Sequence, residues 1–208
     1  MPSIKFTLLF LFLALNASSA FAGFDEAAAA FAAGDYKLAL QEVRPLAEKG
    51  DAQSQYSMGV LYENGFGVPK DCPLAADWYL KAAKQGNSDA QFNLGAMYEH
   101  GVGIPVNYVE AERWYRPAAE QGDVDALSNL GVLYQNGQGV KEDKILAMAL
   151  YNVSVAYAGD RPTKAARNRQ VLANQISMED VKKSLTLTDE FLKPDNFKTA
   201  LVAYLKKK

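Results

Sequence analysis

The sequence predicts an all-α protein, an α/α superhelix (solenoid) of 36-residue helix-turn-helix repeats with capping helices at both ends. Three observations predict it. Two sets of positions recur at a spacing of 36 residues, the glycines Gly59, Gly95 and Gly131 and the tyrosines Tyr62, Tyr98 and Tyr134. Within each repeat, apolar residues recur at the spacing that places them on one face of a helix. Gly-x-Gly pairs at the same period end each first helix, with no insertion between repeats.

The segment before the repeats has the features of a secretory signal peptide. Lys5 supplies a positive charge, Phe6–Leu15 is an apolar run interrupted only by Thr7, and Ala20-Phe21-Ala22 forms an A-x-A-like cleavage site. We expect a signal peptide over residues 1–22, cleavage after Ala22, and a periplasmic or secreted protein. An uncleaved anchor is the alternative, but the run is shorter than the roughly 20 residues that span a bilayer. We therefore expect no stable membrane span after cleavage.

Residues 23–50 are predicted to form an N-terminal capping helix pair, an incomplete repeat. The second-helix pattern of the repeats, moved back by 36 residues, falls on Ala39 and Ala47. We therefore expect a short helix over Phe24–Ala33 and a second helix over Tyr36–Lys49.

Three repeats occupy residues 51–159, at about 51–86, 87–122 and 123–159. Gly59 lies inside a first helix, where glycine costs roughly 1 kcal/mol relative to alanine. Because this cost recurs at each equivalent position, we expect a neighbouring helix to approach too closely there for a Cβ atom.

The second helix of each repeat begins at an N-cap residue that accepts backbone N–H bonds. The predicted N-caps are Asp71, Asn107 and Asp143. An aromatic stripe then recurs at buried-face spacing, and we expect its four rings to be core, namely Trp78, Tyr79, Trp114 and Tyr115.

The C-terminal residues 160–208 are predicted to be capping helices, because the outer face of a repeat array needs a cap. We expect helices over Pro162–Gln175 and Met178–Leu192, and a final short helix carrying Phe197 and Tyr204.

Composition excludes several classes of function. Without the predicted leader the chain has 21 basic and 24 acidic residues, a net charge of 21 − 24 = −3, so we expect no nucleic-acid partner. Cys72 is the only cysteine, which rules out a disulfide within the chain. His100 is the only histidine, so a site with two histidines from one chain is impossible.

Catalytic motifs are also missing. The Gly-x-Gly loops end helices and are not followed by the Lys-Ser/Thr of a phosphate-binding loop. Neither Gly-x-Ser-x-Gly nor Ser-x-x-Lys occurs. We predict a protein that is not an enzyme, with no cofactor, metal or catalytic residues.

The repeat pattern resembles the SEL-one-like repeat, a relative of the tetratricopeptide repeat. The middle unit carries it most fully, from Leu94-Gly95 through Gly101-x-Gly103 to Trp114-Tyr115 and Ala118-Ala119. The resemblance implies a scaffold or adaptor for protein complexes, whose first helices line the concave side and bind a protein or peptide.

Aligned to that pattern, twelve residues are the candidate partner-binding positions. They are Gln53, Tyr56, Glu63 and Asn64 in the first repeat, Asp89, Phe92, Glu99 and His100 in the second, and Asp125, Ser128, Gln135 and Asn136 in the third. Tyr56 and Phe92 are the expected anchors, because exposed aromatics among polar residues are typical of interface centres. The alternative is that both rings merely pack against neighbouring helices.

Two other functions remain open alongside the adaptor. Cysteine-rich relatives suggest, by analogy, an envelope hydrolase or a β-lactam-interacting protein, although this chain lacks their cysteine pairs. A secreted host-interaction effector is the third possible function.

Overall fold

A computed structural model describes residues 25–207 of the 208-residue chain. The predicted signal peptide, residues 1–22, lies outside the described residues. Every regular element within 25–207 is a helix. Backbone contacts divide the chain into two compact units, unit 1 ending at Asn87 and unit 2 beginning at Ser88.

Unit 1 consists of the leading helix pair and the first repeat. Its helices are α1 (residues 25–32), α2 (Tyr36–Glu48), α3 (Ala52–Asn64) and α4 (Cys72–Lys84). Helix α3 packs against both α2 and α4. Small and medium-sized apolar side chains fill the interior, among them Ala27, Val43, Ala47, Met58 and Leu61.

Unit 2 contains the second and third repeats and the C-terminal helices. They are α5 (Ser88–His100), α6 (Tyr108–Glu120), α7 (Val124–Asn136), α8 (Lys144–Ala158), α9 (Lys164–Ala173), α10 (Met178–Phe191) and α11 (Phe197–Leu205). Each of α5 to α8 packs on the next helix in the chain, and α9 and α10 cover α8. The predicted all-α fold of paired helices is confirmed.

The N-caps of the second helices are those that the sequence predicts. The Asp71 carboxylate accepts a hydrogen bond from the Leu74 amide at 2.9 Å, and the Asp143 carboxylate accepts one from Leu146 at 3.0 Å. Asn107 accepts from Glu110 at 3.2 Å. Such bonds satisfy backbone donors that a helix start otherwise leaves unpaired.

The Gly-x-Gly turn is shaped by two different requirements. Gly65 takes a left-handed φ of 73° as the C-cap of α3, which glycine adopts without steric cost. Gly67 lies against the start of α2, where an added Cβ would stand 2.5 Å from the Tyr36 carbonyl oxygen. The loop therefore requires glycine both for its backbone angle and for its close approach to α2.

The C-terminal helices close the array in unit 2. Thr163 and Ser177 cap α9 and α10, and the Tyr204 hydroxyl on α11 donates to the Asp143 carboxylate at 3.0 Å. Helix α9 is shorter than predicted. It begins after its N-cap Thr163, which leaves Pro162 outside the helix, and it ends at Ala173.

Candidate functional site

Each repeat has a tyrosine of the second helix seated on a glycine of the first helix. A Cβ added to Gly59 would lie 2.4 Å from the Tyr79 ring, and one added to Gly95 would lie 2.7 Å from the Tyr115 ring. The third repeat repeats the contact at Gly131. The predicted close approach is confirmed, and its cause is a ring on the partner helix and not a second backbone.

The hydroxyl of each buried tyrosine donates to a side chain four residues after that glycine. The Tyr115 hydroxyl donates to the Glu99 carboxylate at 2.6 Å, and the Tyr79 hydroxyl donates to Glu63 at 2.7 Å. In the third repeat Gln135 accepts from Tyr151 at 2.8 Å. These three candidate binding residues are thus half-buried and already engaged inside their own repeats.

The two predicted anchors, Tyr56 and Phe92, occupy the same place in their repeats. The Tyr56 ring centroid is 5.8 Å from that of Tyr79, and the Phe92 centroid is 5.8 Å from that of Tyr115. Both rings remain only half-buried. Each therefore packs on the core tyrosine of its repeat and also presents part of its surface to solvent.

The third repeat has no such anchor. Ser128 stands at the position of Tyr56 and Phe92, but it is only 2% exposed. A side chain this buried is not accessible to a partner, so the structure does not support Ser128 as a partner-binding position. Helix α9 packs against α7, the helix that carries it.

The six remaining candidate positions are all exposed on the first helices. They are Gln53, Asn64, Asp89, His100, Asp125 and Asn136. Gln53 accepts a hydrogen bond from the Asn87 amide at 2.9 Å, and Asn64 donates to the Val60 carbonyl at 2.9 Å. These side chains are accessible to a partner, although some already make local contacts.

The predicted burial of the two tryptophans is wrong. Trp78 and Trp114 are half-buried, whereas Tyr79 and Tyr115 are fully buried. Adjacent residues on a helix point about 100° apart, so only one of each pair can face the glycine of the first helix. On α4, the ammonium of Lys81 lies 3.8 Å from the centre of the Trp78 ring.

The sequence pattern did not indicate a cavity that unit 1 contains. It has a volume of about 280 Å³ and lies between α1, α2 and α3. Its walls are apolar except for Ser57 and the phenol of Tyr56, and are formed by Ala27, Ala28, Phe31, Ala39, Val43, Tyr56, Ser57, Val60 and Leu61. The only sequence signals for it were the small residues of α1 and α2.

One partly buried ionic cluster in unit 2 has a structural explanation. The Arg116 guanidinium on α6 contacts the Glu112 carboxylate one turn earlier, and the Tyr134 hydroxyl on α7 donates to the same carboxylate at 3.2 Å. Burial raises the pKa of Tyr134, and the Glu112 charge raises it further. The cluster joins α6 to α7, and its one positive and one negative charge cancel.

Across residues 25–207, no group of three or more His, Cys, Asp or Glu side chains is placed to hold a metal ion. None of the helices described in that range is long and apolar enough to cross a membrane.

Paired helices that recur along the chain, each pair joined by the same tyrosine-on-glycine contact, define a helical repeat protein. The Sel1 repeat family matches residues 52–87, 88–123 and 124–154. A Sel1 repeat protein from Oxalobacter formigenes is 33% identical, with a TM-score of 0.66, and the match covers 79% of this chain and 67% of that one. The chain belongs to the Sel1 repeat family, whose members typically act as protein-interaction scaffolds.

A second solved structure is similar in the same way. A protective antigen present in uropathogenic Escherichia coli strains, with an SLR fold, is 28% identical with a TM-score of 0.69. The match covers 82% of this chain but only 36% of that protein, so this chain spans about a third of its length. No curated protein sequence gives a match.

Proposed function

We propose that the chain is a non-catalytic adaptor that binds a peptide or protein through the first helices of its repeats. The observation that carries this proposal is the partial exposure of Tyr56 and Phe92, each packed on a buried tyrosine. A ring held on one side by the core loses little conformational freedom when a partner covers its other side, which favours it as an interface anchor.

The same geometry argues against catalysis at the candidate positions. Glu63 and Glu99 accept hydrogen bonds from core tyrosines, and His100 is exposed at the end of α5. A general base needs a reacting group within hydrogen-bond reach and a positioned nucleophile. The repeats use these carboxylates to join their two helices, which supports an adaptor over a hydrolase.

The proposed place of action is the periplasm or the extracellular medium. The support is the charged start, the apolar run and the Ala20-Phe21-Ala22 site of the N-terminal sequence. Fractionation of cells that produce the C-terminally tagged chain tests it. We expect a periplasmic or released form that begins at Gly23; a cytosolic form retaining residues 1–22 contradicts it.

Affinity capture tests the binding function. The tagged chain is compared with a Tyr56→Ala, Phe92→Ala double variant after cross-linking in envelope preparations of the source cells. The matched control is Asp77→Ala, Arg113→Ala, because these two residues occupy equivalent exposed positions of the second helices α4 and α6.

We expect the aromatic double variant to lose the captured proteins that wild type and the control retain. Circular dichroism of all three chains checks that each is folded. Equal capture by the aromatic variant contradicts the proposal. Turnover of a chromogenic β-lactam by the purified chain would instead support the hydrolase alternative.

A further inference from the structure

The apolar cavity of unit 1 has a size that selects its occupant. Ligand pockets for whole small molecules have volumes of about 300–1,000 Å³. At about 280 Å³ the cavity lies just below that range. It suits a single large apolar side chain better than an entire organic ligand.

The walls of the cavity are held in place before anything binds. The Phe31 ring on α1 contacts the Tyr36 ring at 5.3 Å and the Phe66 ring at 5.8 Å between centroids. On α3, the lining residue Tyr56 packs on the buried Tyr79. Phe31 is nevertheless 39% exposed, so part of its ring stands at the mouth.

The helices that border the cavity carry a net negative charge, because α1, α2 and α3 together contain five acidic residues and only two basic ones, both on α2. Asp25 and Glu26 on α1 are exposed next to the lining residue Ala27, and Glu63 on α3 follows the lining residue Val60 by one turn. Neither α1 nor α3 contains a lysine or an arginine.

The two basic residues of α2 lie away from the residues of this helix that line the cavity. On α2, Lys37 and Arg44 are exposed and share a face seven residues apart, whereas the lining residues Ala39 and Val43 share the buried one. The remaining basic residues inside helices of unit 1 are Lys81 and Lys84 on α4. The first helices of unit 2 repeat the asymmetry, since α5 and α7 have acids at Asp89, Glu99 and Asp125 but no lysine or arginine.

We infer that this cavity binds an aromatic or leucine side chain of a basic peptide segment, with flanking lysines or arginines of the partner beside Asp25 and Glu26. The inference rests on the proposed function and specifies the chemistry of the partner. The apolar side chain gains burial, and opposite charges beside the cavity favour a basic segment over an acidic one and accelerate encounter.

Selection from a random twelve-residue peptide display library, with the folded full chain as bait, tests this chemistry. We expect enrichment of peptides in which Phe, Tyr, Trp or Leu is flanked by Lys or Arg. Enriched peptides that are neutral or acidic overturn the inference. A library that gives no binding peptide also overturns it, and the capture experiment above then decides the proposed function separately.

Three variants locate the binding of the enriched peptide, measured by fluorescence anisotropy. Ala28→Trp places a ring at an exposed lining position without changing the core, and Asp25→Lys with Glu26→Lys reverses the charge that precedes the lining residue Ala27. Glu48→Lys is the charge control, because Glu48 is exposed on α2 and does not line the cavity.

We expect Ala28→Trp to weaken binding by about tenfold or more, the loss expected when one large apolar side chain is excluded. The double charge reversal should weaken binding by about threefold to tenfold at low salt and less at high salt. Glu48→Lys should leave the dissociation constant unchanged.

The other outcomes are equally informative. A basic peptide that binds the Ala28→Trp variant as tightly as wild type overturns the inference but leaves an adaptor function elsewhere on the repeats. Self-association of the chain that Ala28→Trp abolishes would assign the cavity to a second copy, which also overturns it.

Discussion

The Tyr115 ring lies directly over Gly95, so closely that a Cβ on this glycine would stand 2.7 Å from the ring. The hydroxyl of the same tyrosine donates to Glu99, one turn further along the glycine's helix. One side chain thus joins α6 to α5 by a steric fit and by a hydrogen bond. The other two repeats contain the same pair of contacts.

Gly95→Ala tests the steric part of this contact. Alanine favours a helix by about 1 kcal/mol over glycine, so the change should stabilise α5 if space were available. Because the ring occupies that space, we expect the free energy of unfolding to fall by about 1–3 kcal/mol, as overpacking does. Urea unfolding measures it.

A double-mutant cycle supplies the control. In a Tyr115→Leu background the ring is gone, and Gly95→Ala should cost much less than it does in wild type. A Gly95→Ala chain as stable as wild type would show that the second helix can shift away freely.

The relative cost of removing neighbouring aromatics tests the burial pattern. Tyr115→Ala should lower the free energy of unfolding by about 3–5 kcal/mol, because it empties a fully buried site. Trp114→Ala should cost only about 1–2 kcal/mol, because this ring is half-buried. Chemical denaturation of both variants decides the order, and a larger loss at Trp114 would contradict the structure.

Alkaline pH should destabilise the fold through the buried tyrosines. Burial raises the pKa of Tyr115, and the hydrogen bond to Glu99 raises it further. In an unfolded chain tyrosine ionises near about pH 10. Since the folded pKa is the higher one, the stabilisation is complete below about pH 10 and is lost as the pH rises toward the folded value.

The measurement is the free energy of unfolding between about pH 8 and about pH 11, a range that spans the ordinary tyrosine pKa. Wild type should lose stability above about pH 10, and Tyr115→Phe should show a shallower loss, because one buried hydroxyl no longer titrates. Burial also raises the pKa of Tyr151, so some loss should remain. If the free energies of unfolding of wild type and Tyr115→Phe changed in parallel with pH, the pKa of Tyr115 would be the same in the folded and the unfolded chain.

Most of the fold was predictable because the repeat period carries it. The spacing of Gly59, Gly95 and Gly131 indicated the helix pairs, and the N-caps at Asp71 and Asp143 followed from the position of the turns. Local chemistry decides these features, since caps and left-handed turns depend on a few adjacent residues.

The site was less predictable because its contacts join residues far apart in sequence. Nothing in the local pattern showed that Glu63 and Glu99 accept hydrogen bonds from tyrosines sixteen residues later. The choice of Tyr115 over Trp114 for the core depends on the relative rotation of two packed helices. The cavity lined by Phe31 requires three helices to be placed before it exists.

The most direct test of the account places a photo-cross-linking amino acid at Gln53, exposed on the first helix α3, and separately at Asp77, exposed on the second helix α4. Irradiation in envelope preparations, followed by mass spectrometry, identifies what each position touches. We predict a cross-linked partner from position 53 that position 77 does not give. A partner joined only at position 77 would contradict binding through the first helices.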